Sequence, residues 1–214
     1  MHCGEKSSSR SGIRDDTVQF VLASGSTTRR SLLGNAGLAF KCEKPRIDEA
    51  AAGNALASEG EEPRDIASAL AELKARRIGQ KHPDVLTLGC DQVLDFEGRV
   101  VGKSRSLEEA RSTLKRLRGK RHKLHSAAVV YENFKPVWRH VSTANLAMRD
   151  FSDNFLEAYL ARNDSAALES VGCYKVEEEG IRLFSSIRGD WFAVLGLPLM
   201  EFVNFLYDRG QIGK

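Results

Sequence analysis

The stretch Val18-Gln-Phe-Val-Leu-Ala-Ser-Gly-Ser-Thr-Thr-Arg-Arg-Ser-Leu-Leu33 most constrains what this chain can fold into. An apolar run stops at a small, hydroxyl-rich turn, and two arginines then open a helix-like segment. Residues 18–23 read as a buried strand, Ser24 to Thr28 as a turn, and Arg29 to Leu38 as a helix with apolar spacing at Leu32, Leu33 and Ala36. Such a turn leaves free backbone N–H groups at a helix N-terminus, where an anion is favoured by hydrogen bonds and by the dipole. Arg29 or Arg30 would add a forked donor matched to phosphate oxygens. The alternative is an N-capped surface helix with two solvated arginines, and this segment alone leaves both open.

Further strands and helices follow. Residues 40–49 are short and extended and end in Asp48-Glu49, and the Ala-, Gly- and Glu-rich residues 50–62 read as a mobile connection. Pro63 begins a helix to about Lys81 with apolar Ile66, Ala69, Leu70, Leu73 and Ile78, and Lys74 lies at the edge of that stripe. Val85 to Cys90 is a second buried-strand candidate, with Asp91 at its carboxyl end. Gln92 to Lys103 resembles a hairpin turning at Glu97-Gly98. Ser106-Leu-Glu-Glu109 has capping-box spacing, and the helix that it starts ends at Gly119. Residues 122–131 and 136–149 read as long antiparallel strands, Ser152 caps a helix through about Ala161, residues 170–196 are glycine-punctuated, and Pro198 begins a final helix. Without an internal repeat, this order points to one α/β domain over 17–210 with an inserted or appended lobe, preceded by a Ser-rich, disordered tail at 1–16.

A net charge of +3 with no basic stripe interleaved with aromatics argues against a nucleic-acid partner and is compatible with small anionic substrates. The four cysteines are scattered without a C-x-x-C pair, so neither a zinc ribbon nor a disulfide framework is indicated. No apolar run approaches the roughly 20 residues of a membrane span, and the N-terminus lacks a signal-peptide core. The expectation is a cytoplasmic protein with no membrane contact.

An acid at the end of a buried strand is where open α/β sheets place ligand-binding groups, which singles out Asp91, while Asp48 and Glu49 fit plain solvent charge as well. Lys74, Lys103 and Arg29 together could neutralise a polyphosphate, while Glu49 and Asp91 hold a hard cation such as Mg²⁺. That set suits phosphoryl chemistry better than acyl transfer. The P-loop and dinucleotide glycine fingerprints are absent. His122 and His125 sit on a strand and face opposite sides, Cys90 reads as core filler, and Trp138, Trp191 and Phe192 read as core or interface, although one could stack on a base.

Taken in order, Leu22-Ala-Ser-Gly-Ser-Thr-Thr-Arg-Arg30, Ile47-Asp-Glu49, Ala71-Glu-Leu-Lys-Ala75, Cys90-Asp-Gln-Val93, Gly102-Lys103, Gly119 with His122, and Gly196-Leu-Pro198 resemble the Maf family of nucleoside-triphosphate pyrophosphatases over about residues 18–207. The resemblance implies a mixed, twisted sheet flanked by helices, similar to inosine-triphosphatase folds, with a cleft between two lobes. It implies hydrolysis of a nucleoside triphosphate to monophosphate and pyrophosphate, with Mg²⁺ or Mn²⁺ and water attacking the α-phosphorus, and an ability to form a homodimer. By matching position, Asp91 is the catalytic acid, Ser24, Arg29, Lys74 and Lys103 bind substrate, and Glu49 with Asp91 meets the metal. Thr28, Gln92 and Glu177 match positions that track substrate choice. The Asp-Gln pair and the Lys-x-Glu segment look like the branch acting on 7-methyl-GTP, whereas the dTTP/UTP branch typically has Asp-Thr and Gly-Gly-Tyr-Gly-Ile-Gln. The chain departs from the family at Thr27 and Ser104, where prolines are usual, and at Thr28, often aromatic. A catalytically weak nucleotide-binding regulatory protein, or a pyrophosphatase for dTTP, UTP or damaged nucleotides, are the competing readings.

Overall fold

The computed structural model describes residues 19–213, so the tail at 1–16 and residues 17–18 lie outside the described part. Strand β1 (Phe20–Ala23) is buried throughout and passes into helix α1 (Thr27–Asn35), which is capped by the Ser26 hydroxyl accepting from the Arg29 N–H. The helix thus begins two residues before the arginine pair, because Ser26 rather than Thr28 supplies the cap, and Arg29 falls in the first turn. Strand β2 (Phe40–Cys42) follows, then helices α2 (Glu49–Ser58) and α3 (Pro63–Gly79). The expected mobile connection at 50–62 is therefore largely helical: Asp48 caps α2 through Ala51 N–H, and the alanine-rich run carries high helix propensity although no α2 residue is fully buried.

Strand β3 (Thr87–Phe96) turns at Glu97-Gly98 into the short β4 (Arg99–Val101), and α4 (Leu107–Leu117) follows. The long hairpin β5 (Arg121–Glu132) and β6 (Lys135–Met148) turns at Asn133-Phe134. Then come α5 (Asp153–Arg162), α6 (Asp164–Glu169), β7 (Phe184–Arg188), α7 (Trp191–Val194) and α8 (Leu199–Asp208).

The strands form one mixed sheet in the order β2-β1-β3-β5-β6-β7, with β4 paired to β3. β1 is parallel to β2 and β3, while β3, β5, β6 and β7 pair antiparallel in succession. Asp91 is not at the end of its strand but in the middle of β3. What ends there is the parallel pairing, at Ala23 with Gly89, because β1 leaves the sheet for the Ser24 turn while β3 continues against β5. On that edge β4 joins β3 only at Leu94, so the sheet is open between Gly89 and Leu94, beside Asp91.

Side-chain alternation sorts the core onto two faces. Val93, Ala127, Val129 and Tyr131 pack against Ile66, Leu70, Ala71 and Ala75 of α3. On the opposite face, Phe20, Leu22, Leu88, Cys90 and Val130 meet Leu33 of α1 and Leu199, Phe202 and Leu206 of α8. Farther along that face, Leu94, Phe96, Leu124 and Leu146 meet Leu114 and Leu117 of α4 and Leu156, Tyr159 and Leu160 of α5. A polar seam divides these two clusters: Gln92 and Ser126, paired across β3 and β5, are tied to the backbone carbonyls of α7. Among the described residues no helix is long and apolar enough to cross a membrane.

Candidate functional site

The site is built where α3 crosses β3 at unusually short range. A Cβ on Gly89 would lie 2.2 Å from the Ala71 carbonyl oxygen and 2.5 Å from the Ala75 nitrogen, so only glycine permits this approach. The approach carries Lys74, one turn beyond Ala71, onto the sheet. Its ammonium lies 2.6 Å from Asp91 Oδ1 and 2.7 Å from Glu49 Oε2, with the Lys74 side chain only 5% exposed. The lysine placed at the edge of an apolar stripe is thus a buried cation bridging two acids. Glu49, expected in a loop, is the first residue of α2, half-exposed at the cleft mouth. Burial pushes the Asp91 carboxyl above the usual carboxylate range, against the pull of Lys74 and Arg29.

Arg29 enters from the other side. Its Nε donates to the Gly196 carbonyl at 2.7 Å and its Nη1 to the Cys90 carbonyl at 3.1 Å, with Ser24 Oγ at 3.4 Å. Ser24 Oγ also accepts from Ser26 N–H at 3.2 Å, which shapes the turn. Gly196 adopts a positive φ of 98°, and a Cβ there would lie 3.5 Å from Arg29 Nη2. Lys103 lies exposed on the segment after β4. Ser24, Arg29, Glu49, Lys74, Asp91 and Lys103 line one cleft of about 1190 Å³.

Thr28, Gln92 and Glu177 line the same cleft. Thr28 Oγ1 donates to Glu177 Oε1 at 3.4 Å, although the two lie 149 positions apart. Gln92 Nε2 faces the Ala193 and Val194 carbonyls at 3.1 and 3.0 Å and Ser126 Oγ at 3.0 Å. Backbone carbonyls only accept, so this end of the amide must be the nitrogen, and its two hydrogens are committed to the protein.

The departures from the family pattern have local explanations. Thr27 is the first residue of α1, a position where proline also fits, and the buried Ser104 hydroxyl lies 3.1 Å from Cys173 Sγ. His122 and His125 lie on opposite faces of β5, the first against Tyr174 at 2.7 Å and the second against Asp95 at 3.3 Å. Cys90 is fully buried with its thiol pushed up to about 11, consistent with core filler. Trp138 packs on Phe202 and Phe205, whereas Trp191 is 45% exposed. Sequence reasoning missed Ser126, whose hydroxyl donates to the Ala193 carbonyl at 2.6 Å, and Gly89, which a glycine inside an apolar strand could have signalled.

No group of three or more His, Cys, Asp or Glu residues able to hold a metal occurs among the described residues. Two carboxylates, Glu49 and Asp91, remain, each giving one oxygen to Lys74. Such a set fits a hard cation that completes its shell with substrate oxygens and water, as Mg²⁺ does, and does not fit a cation held by protein alone.

The profile of the family described as Maf-like protein matches residues 19–209. A relative from Ruegeria pomeroyi named nucleoside triphosphate pyrophosphatase is 55% identical over 196 residues, covering 92% of this chain and 98% of that protein. Relatives from Rhizobium meliloti and Brucella abortus, both named 7-methyl-GTP pyrophosphatase, are 45% and 44% identical, covering 90% and 87% of this chain and 96% and 94% of those proteins. With its sheet, its cleft and a match spanning nearly all described residues, the chain belongs to the Maf family.

Proposed function

We propose that this chain is a cytoplasmic nucleoside triphosphate pyrophosphatase that hydrolyses 7-methyl-GTP, or a closely related modified purine triphosphate, before it is incorporated into nucleic acid. The observation that carries the reading is the Asp91–Lys74–Glu49 bridge, buried at Asp91 and Lys74, facing Arg29 and the Ser24 turn across one cleft. In the proposed reaction Asp91 accepts a proton from water as the water oxygen bonds to the α-phosphorus. The bond from that phosphorus to the bridging oxygen breaks, and pyrophosphate leaves. A carboxyl raised by burial is a better base than a solvated one. The Ser24 turn, Arg29, Lys74 and Lys103 position and neutralise the phosphates, which is most of what in-line displacement requires. Mg²⁺ or Mn²⁺, held by Glu49, Asp91 and the phosphates, would supply charge stabilisation.

The base preference rests on acceptors. With the Gln92 nitrogen committed to backbone carbonyls, its Oε1 is what remains to meet a base, and Glu177 offers a carboxylate. Both accept, which suits the N1–H and exocyclic amine of guanine, and a cationic 7-methylguanine gains further from the carboxylate. The three described cysteines, Cys42, Cys90 and Cys173, are free thiols, consistent with a reducing compartment.

Incubating the pure protein with Mg²⁺ or Mn²⁺ and a panel including 7-methyl-GTP, GTP, dTTP and UTP tests the reading. Fastest release of monophosphate and pyrophosphate from 7-methyl-GTP is expected. Binding without turnover would instead favour a regulatory nucleotide-binding protein.

A further inference from the structure

The four innermost charges of the site cancel. Lys74 is shared between Asp91 and Glu49, and the Arg29 guanidinium is hydrogen-bonded to two backbone carbonyls and Ser24. A triphosphate bringing about four negative charges needs further cations at the rim, and besides Lys103 the cleft wall offers Lys44, Arg46, Arg105 and Lys175. Lys175 is paired with Glu169, and Lys44 is the one whose stem lies against Gly25 of the Ser24 turn.

We propose that Lys44 is a further phosphate-binding residue, gripping the pyrophosphate end of the substrate over the Ser24-Gly25-Ser26 turn. The sheet register delivers it there. β2 pairs with β1 as far as Leu22 with Cys42, and Glu43 N–H donates to the Leu22 carbonyl at 3.0 Å, so the chain runs on beside the turn. The Lys44 stem then lies along Gly25: a Cβ on that glycine would sit 3.4 Å from Lys44 Cδ and 3.5 Å from Cγ and Cε. The ammonium is the next atom along. The preceding acid, Glu43, is turned away to Lys81 and His82, and no described carboxylate lies within ion-pair distance of Lys44. An anchored stem with an uncommitted cation over a phosphate-binding turn is what recognition of a terminal phosphate requires. The role assigned to Lys44 rests on the proposed triphosphate substrate, but its test does not need turnover.

Calorimetric titration with inorganic pyrophosphate, with and without Mg²⁺, is run on the wild-type protein, Lys44→Gln, Lys44→Arg and Lys41→Gln. Lys41 is an exposed neighbour on β2 that does not line the cleft. Lys44→Gln is expected to weaken binding about 10-fold, as loss of one charge-assisted contact, with Lys44→Arg recovering most of it and Lys41→Gln unchanged. Thermal melting should be the same in all four, since both lysines are exposed. Pyrophosphate binding by Lys44→Gln within twofold of wild type, an equal loss in Lys41→Gln, or no binding by wild type would overturn the proposal. Lys44-dependent pyrophosphate binding without hydrolysis of any triphosphate would keep Lys44 and reject the pyrophosphatase reading. Hydrolysis with Lys44-independent binding would do the reverse.

Discussion

The ammonium of Lys74 stands 2.6 Å from Oδ1 of Asp91, with only 5% and 8% of the two side chains exposed. In so dry a place neither charge is stable alone: Lys74 opposes the upward push that burial gives the Asp91 carboxyl, and the second carboxylate oxygen is left for chemistry.

If Asp91 takes the proton from water, Asp91→Asn should lower kcat by roughly 100- to 10,000-fold while the fold remains, because the amide keeps the shape and loses the base. In the wild type, kcat/KM should rise with pH through a midpoint above the ordinary carboxylate range, since burial raises this group. Steady-state kinetics between pH 4 and 8 checks both.

Replacing Lys74 by Met should strand the Asp91 charge and cost about 3–5 kcal/mol at neutral pH. Protonation of Asp91 removes the stranded charge, so the deficit should shrink as pH falls. Urea melts at pH 7 and pH 5 would show it, and a deficit that does not shrink would locate the damage elsewhere.

Gly89→Ala should be among the most harmful small substitutions in this chain. Its methyl would meet the Ala71 carbonyl oxygen at 2.2 Å, so α3 must shift and carry Lys74 off Asp91. A loss of several kcal/mol in stability together with most activity is expected. A melting temperature near wild type would contradict the packing described.

His122 is buried against Tyr174 and Phe184, and its pKa is pulled down to about 4 by desolvation. Above the unfolded value of 6.5 both states are neutral and the group is silent. As pH falls from there toward 4, the unfolded chain takes up a proton that the folded one refuses, and stability drops by up to about 3 kcal/mol. His122→Phe should flatten that part of the stability–pH curve.

Glu177→Gln should reduce the preference for 7-methyl-GTP over UTP by about 10-fold, because an amide satisfies fewer donors and attracts a cationic base less. Competition assays with both substrates would measure the ratio.

Much of this organisation is legible in the sequence because it is local. The Ser24 turn, the α3 stripe holding Lys74 and the β5–β6 hairpin follow from periodicity and turn chemistry. The helix over Glu49–Ser58 is not legible there, because its alanine-rich run buries no full side chain and so shows no apolar stripe. The apolar run stops at Cys90 and so reads as a strand ending at Asp91, yet β3 continues to Phe96. Its polar member Gln92 is satisfied by partners 34, 101 and 102 positions away, which no local pattern encodes. The meeting of Thr28 with Glu177 is likewise a product of tertiary structure alone.

The central claim, attack by Asp91-activated water on the α-phosphorus, is tested most directly by turnover of 7-methyl-GTP in ¹⁸O-water with analysis of both products. Monophosphate carrying the label beside unlabelled pyrophosphate is the predicted result. Label in pyrophosphate, release of orthophosphate alone, or undiminished turnover by Asp91→Asn would contradict it.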